Sequence, residues 1–170
     1  MKNLKINPKL FSEYTINFLY NTSNFENKKP ISPLRLQNIL YLTYVYALLA
    51  WDKKLWTDNF EKGTLGPLIP EVNDNYSKND FKIVNAENYF FKIPELQNIE
   101  KLELEALMID LNETYNDTEL TKLACDNIWN KTTINSKIKD HEIIKYYSEN
   151  ETFLDNLNDP SLESNIKFLS

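Results

Sequence analysis

The search for chemistry starts at Cys125 and His141, the one cysteine and the one histidine of a 170-residue chain. A nucleophilic thiol needs a base beside it and donors for the developing oxyanion. No motif around Cys125 activates a thiol or builds an oxyanion hole, so a buried cysteine and a surface histidine are the expected arrangement. One histidine cannot make a histidine-rich metal site, one cysteine cannot make CxxC zinc or redox chemistry, and the acids are too scattered for a carboxylate-only site. Neither a metal nor a cofactor is expected. Glu103 and Glu105 stand two apart on a predicted helix and so face different ways, which suits a solvated surface better than shared acid-base work. The chain holds two glycines and none of the GxGxxG, GxxxxGK[ST] or GxSxG patterns, so nucleotide chemistry has no cradle. No catalytic constellation emerges, and the chain is expected not to be an enzyme.

The elements around these residues read as helices. Asn7-Pro8 is a cap followed by proline at a first helical position, and Leu10, Phe11, Tyr14 and Phe18 follow at helical spacing. The helix is expected to stop in the polar stretch from Asn21, which continues as a loop to Pro30. Ser32-Pro33 starts a second helix, apolar on nearly every face from Ile39 to Trp51, which predicts a buried central helix. It is shorter than the roughly 20 apolar residues a membrane span needs. Its Tyr41, Tyr44 and Tyr46 carry hydroxyls that want partners or a wet edge.

Both glycines fall in LWTDNFEKGTLGPLIPEV. Gly66 offers positive φ, Pro67 fixes its own φ and removes a donor, and Pro70 suits the first turn of a helix running through Val72 and Tyr76. The stretch reads as a connecting loop, or more sharply as a shaped partner-binding loop. Residues 81–93, rich in β-branched and aromatic side chains, allow one short β-hairpin or an extended loop. Residues 98–115 form another amphipathic helix. Asn116 with Glu119 makes a capping box for a helix carrying Leu120, Leu123, Ala124 and Ile128 and ending near Trp129. Asp140 is placed to cap HEIIKYYSE. The expected fold is therefore mainly α: a single helical-bundle domain around a buried central helix, with residues 1–148 as the domain and 149–170 as a helical extension or tail.

At 20.1 kDa, with 42% hydrophobic and 26% charged residues, the chain can bury its own core. Net charge is −6, an unfavourable balance for the phosphate neutralisation that drives nucleic-acid binding. No apolar stretch of signal-peptide length follows the basic N-terminus, so a reducing cytoplasm is the expected compartment, with neither nucleic acid nor membrane as partner.

Leu36-Gln37-Asn38-Ile39-Leu40-Tyr41, Leu55-Trp56-Thr57-Asp58, Gly66-Pro67-Leu68, Tyr115 through Leu120, Leu123 and Trp129, and finally HEIIKYYSE resemble, in that order, the motifs of the Panacea-domain, SocA-like antitoxins. The resemblance runs from about Tyr14 to about Ser148. The chain departs from the family at Asn38, where lysine is usual, at Gly63, where tryptophan is common, and at Cys125, where the family has histidine. The resemblance implies a mostly helical module that binds and neutralises a toxic protein encoded beside it, with partner contacts at Gln37, Tyr41, Gly66, Pro67 and Trp129. Core packing competes for Tyr41 and Trp129, and an internal hydrogen bond competes for Gln37. The departures imply a divergent member, with a different toxin or outside toxin control altogether. An adaptor that hands a client to a ClpXP-type protease, or a phage-associated interaction protein, is the alternative.

Overall fold

A computed structural model describes residues 1–22, 31–76 and 93–150. Seven helices account for 64% of these residues, with two short two-stranded sheets, so the fold is mainly α. The possible hairpin over 81–93 lies outside the described residues but for Ile93, and so does the C-terminal segment from 151 onward.

The caps read at Asn7, Ser32 and Asn116 form. α1 (Pro8–Thr22) opens on Asn7, whose Oδ1 accepts from the N–H of Lys9 and Leu10 at 2.9 and 3.1 Å. α2 (Pro33–Trp51) opens on Ser32, whose hydroxyl accepts from the N–H of Arg35, and closes on Asp52 in the left-handed region at φ 52°, its N–H on the Ala47 carbonyl. α2 is the axis of the fold. Every residue from Leu36 to Val45 is buried, with Ala47 and Leu48 beyond, and α1, α3 (Pro70–Tyr76), α4 (Asn98–Thr114), α5 (Asp117–Ala124) and α7 (Asp140–Glu149) all pack on it. No helix among the described residues is long and apolar enough to cross a membrane.

The strands lie where no pairing was read from the sequence. β1 (Lys2–Asn3) runs parallel to β2 (Lys53–Lys54), and β3 (Glu61–Lys62) is antiparallel to β4 (Pro67–Leu68). Both sheets tie loop to loop. The backbone N–H groups of Lys2, Leu4 and Ile6 donate to the carbonyls of Asp52, Lys54 and Leu55, which lashes the N-terminus over the end of α2. Between the sheets, Trp56 is fully buried against Phe11, Tyr44 and Phe60 with ring centroids 5.6, 5.2 and 5.9 Å away.

The hydroxyls of α2 each reach a carboxylate on a different surrounding element. Tyr41 donates to Asp126 at 2.8 Å, Tyr44 to Asp140 at 2.9 Å and Tyr46 to Glu103 at 3.2 Å. Burial first, and then the facing carboxylate, pushes all three phenols above their ordinary value, so they stay neutral donors at any physiological pH. Arg35 does the same work for backbone: its guanidinium donates to the carbonyls of Asn112 and Tyr115 and pairs with Asp117 at 2.7 Å. It thus gathers the orphan carbonyls at the end of α4 and the opening of α5.

Three expectations need correction. Glu103 and Glu105 are not a solvated surface. Glu103 accepts from Tyr46 and from the Trp51 indole, while Glu105 is buried and accepts from Tyr14 with Lys101 at 3.4 Å; hydrogen-bonded partners offset the cost of drawing a carboxylate inward. Asp140 does not cap α7. It is the first helical residue, after Lys139, and its carboxylate serves Tyr44, Lys54 and Asn59 instead. The helix expected to run from Asn116 to near Trp129 breaks at Cys125, and Asp126 caps a separate five-residue α6 (Asn127–Lys131).

Glu100 ties the N-terminus of α4 to β2. Its carboxylate pairs with Lys53 and accepts from the backbone N–H of Gln97. Burial works to raise its pKa, but the Lys53 ammonium and the Gln97 N–H prevail and hold the carboxyl below its ordinary value. Glu100→Ala is expected to cost about 2 kcal/mol at neutral pH. Because the folded pKa is depressed, this contribution is present above the ordinary carboxylate range and is lost as pH falls through the folded value. Urea unfolding should therefore show the two proteins converging on acidification, and a difference that persists in acid would reject the assignment.

Candidate partner-binding site

Four of the five residues expected to meet a partner lie beneath the surface rather than on it. Gln37 is 5% exposed and clamps Ile69 with both ends of its amide: Oε1 accepts from the Ile69 N–H at 3.0 Å, and Nε2 donates to the Ile69 carbonyl at 3.4 Å. Tyr41 is 0% exposed. Gly66 and Pro67 are buried, and Trp129 is half-buried. The structure nonetheless brings all five together at one corner, where the 63–69 turn rests on the first half of α2 and on the junction between α5 and α6.

Asp126 organises that corner. Its carboxylate accepts from the Tyr41 hydroxyl, the Tyr147 hydroxyl and the Trp129 N–H, each at 2.8 Å. Burial pushes its pKa up, with those three donors pulling the other way. One carboxylate thereby joins α2, α6 and α7. The sequence signal for it was an Asp three residues before Trp129, an N-cap spacing that the continuous-helix reading passed over.

The turn above is shaped by close approach and not by left-handed backbone. No glycine among the described residues has positive φ, which corrects the expectation for Gly66. A Cβ on Gly66 would instead stand 2.9 Å from Asn38 Oδ1 and 3.9 Å from Cys125 Sγ. A Cβ on Gly63 would meet the Leu68 side chain and lie 2.7 Å from the Gly66 carbonyl oxygen, and that oxygen accepts from the Gly63 N–H at 3.0 Å. Asn38 holds the other side of the pocket by donating to Thr121 at 3.0 Å. A shoulder rests on this frame: Leu65, 66% exposed, at the tip of the turn, and the half-buried Lys62, whose ammonium lies 4.4 Å above the Trp129 ring and donates to the Asn130 carbonyl. Ile134, 48% exposed, follows in the next loop.

Cys125 and His141 do not pair. The thiol donates to the Leu65 carbonyl at 3.6 Å, while the exposed His141 has Glu142 as its ionic neighbour at 3.9 Å. Burial, then the Asp126 carboxylate, raise the thiol to about 11 against a smaller opposing effect of Lys62. Among the described residues no three His, Cys, Asp or Glu side chains gather into a metal-binding group. The corner offers shape, apolar surface and cationic charge, and these are means of binding.

Comparison with known proteins adds no neighbour: no family model matches the chain, and neither a curated protein nor a solved structure does.

Two measurements test this geometry. Gly63→Ala is expected to destabilise by about 3 kcal/mol and Gly66→Ala by about 1, because the first meets backbone and the second only a side chain. Adding Asn38→Ala should relieve part of the Gly66→Ala cost, giving a non-additive cycle in chemical denaturation. Strict additivity would remove the contact from the account. For Cys125, a thiol whose pKa is raised by folding should alkylate at least about tenfold more slowly in the folded chain than in urea, whereas equal rates would mean an accessible thiol of ordinary reactivity and faster ones an activated thiol.

Proposed function

We propose that this chain is a non-enzymatic binding protein of the antitoxin type, which neutralises a toxic protein encoded beside it by direct contact through the corner built around Gly66. One observation carries the reading. The three positions at which the sequence departs from the Panacea-domain pattern, Asn38, Gly63 and Cys125, come from three separate elements and converge on the same turn. Asn38 Oδ1 and Cys125 Sγ stand 2.9 and 3.9 Å from where a Cβ on Gly66 would lie, and the Gly63 N–H closes on the Gly66 carbonyl. Departures scattered over a surface would have suggested drift. Departures gathered at one turn, beside the exposed Leu65 and the Lys62–Trp129 stack, are what re-shaping for a different partner would produce.

The buried frame also suits the task. Interfaces bind best when their contact residues are held in place before the partner arrives, and Gln37, Tyr41 and Asp126 hold this turn through bonds that need no partner. The chain supplies a fixed surface, and Asp126, Asp140, Glu103, Glu105 and the single thiol are engaged by groups of the chain itself. Blocking a toxin needs no chemistry beyond that.

The test is coexpression with the product of the adjacent gene. The neighbour alone should arrest growth, the pair should grow and co-purify, and Leu65→Asp should abolish both rescue and co-purification while far-UV circular dichroism stays that of the parent chain. A neighbour that is harmless alone and does not co-purify counts against the proposal, as does full rescue by Leu65→Asp.

A further inference from the structure

The geometry points to an acidic, extended segment of a partner protein as the occupant of this corner, docked along the free backbone edge at Lys137. This inference rests on the chain's being a binding protein and not on the partner's being toxic.

The edge follows from the hydrogen bonds. β3 pairs with β4 on one side, and on the other Glu61 faces Lys137 in an antiparallel bridge. In that bridge the Lys62 N–H donates to the Ser136 carbonyl at 2.9 Å and the Ile138 N–H donates to the Phe60 carbonyl at 2.7 Å. The bonds thus come from the residues flanking the bridge, which turns the N–H and C=O of Lys137 itself away from β3. Neither group has a partner among the described residues, and Lys137 is exposed. Just before it, Asn135 at φ 61° donates to the same Lys62 whose N–H reaches Ser136, so two residues oppose one in a bulge. An unpaired outward donor and acceptor on a sheet edge are what an added strand uses.

Charge selects the strand. The chain carries −6 overall, yet residues 127–139 contain Lys131, Lys137 and Lys139 and no acid. The acids that bound this stretch are turned to other work. Asp126 is held by Tyr41, Tyr147 and the Trp129 N–H, and Asp140 by Tyr44, Lys54 and Asn59. Lys139 pairs with Glu142 at 3.3 Å, whereas Lys131, Lys137 and Lys62 form no ion pair among the described residues. Glu61 lies across the bridge and Glu142 and Glu149 line the groove beside Lys131 and Lys145, against Lys62, Lys131, Lys137, Lys139 and Lys145, so cations remain in excess. Ile134, exposed in the loop that leads into Lys137, gives such a strand an apolar side chain to meet, and Leu65 stands exposed in the turn between β3 and β4. Acidic side chains alternating with apolar ones match this surface, because successive residues of a strand point to opposite faces.

The experiment uses the full, isotope-labelled chain and follows amide shifts by NMR. The probe is a short capped peptide alternating glutamate and valine; a lysine-valine peptide of equal length and a single-stranded oligothymidylate are the other arms. Shifts should centre on Lys62, Leu65 and residues 131–138, weaken as salt rises, and require about tenfold more glutamate peptide in Lys131→Glu/Lys137→Glu. Lys137→Pro, which removes the outward N–H together with one positive charge, should weaken binding and make its salt dependence shallower, though less so than the double charge reversal does. Amide spectra of both variants away from the corner report that the fold is kept. The inference is overturned if the glutamate peptide shifts nothing, shifts another face, binds both variants as it binds the parent, or is matched by the lysine peptide or surpassed by the oligonucleotide. A chain that binds the glutamate peptide but neutralises nothing keeps this surface and loses the antitoxin reading. Undiminished neutralisation by Lys131→Glu/Lys137→Glu does the reverse.

Discussion

Burying a helix that is apolar on nearly all sides costs least when its polar groups find partners inside the protein, and α2 carries three tyrosine hydroxyls along one short stretch. Their solutions set the architecture. Asp126, Asp140 and Glu103 stand at a helix cap, a helix start and a helix interior, and each accepts from one of the three. A buried phenol without an acceptor would cost about 1–3 kcal/mol, so α6, α7 and α4 are not merely packed on α2 by apolar contact. They are registered to it at Tyr41, Tyr44 and Tyr46. Non-directional apolar burial could tolerate each helix sliding or rotating by part of a turn; a hydroxyl to a carboxylate at hydrogen-bond distance cannot.

The same constraint explains which parts of the fold were legible in the sequence. Helix starts were, because they depend on local chemistry: Asn7-Pro8, Ser32-Pro33 and the Asn116/Glu119 box each solve the orphan N–H problem within a few residues. The buried axis was legible from its all-round apolar surface. The acids were misread because helical periodicity says which face a residue occupies but not whether a tyrosine from a distant helix is waiting there. Glu105 looks like a surface residue until Tyr14, 91 positions away in sequence, is placed beside it. Asp140 looks like a cap until Tyr44 and Lys54 claim its carboxylate. The two-residue strands left no period to detect, since two residues cannot establish an alternation.

The corner proposed for binding was half legible for a related reason. Gln37, Tyr41, Gly66, Pro67 and Trp129 were singled out, and they do assemble, but largely as the support of the surface. A turn packed against a buried helix needs a residue small enough to pass beneath a side chain, an amide to clamp its backbone and a carboxylate to fix the neighbouring loop. Those needs select distinctive residues, while the outward positions they present, Leu65, Ile134 and the lysines, are of ordinary type and carry no motif. Distinctive residues therefore point to the place of a surface more readily than to its composition.

This division has a physical consequence for how such a surface can change. The groups that hold the corner bond inward, so side chains above them can be exchanged without leaving an unsatisfied buried group, and each exchange costs little stability. Exchanges at Asn38, Gly63 or Cys125 are different. These residues sit between frame and surface, where a single added carbon at Gly63 meets the Gly66 carbonyl and one at Gly66 meets Asn38. Altering one therefore obliges the others to move, and the turn shifts as a unit. In the proposed reading, affinity varies through Leu65 and the lysines while the outline of the corner is set jointly by Asn38, Gly63 and Cys125, so that a new outline requires coordinated substitution at these inward positions and not at exposed ones.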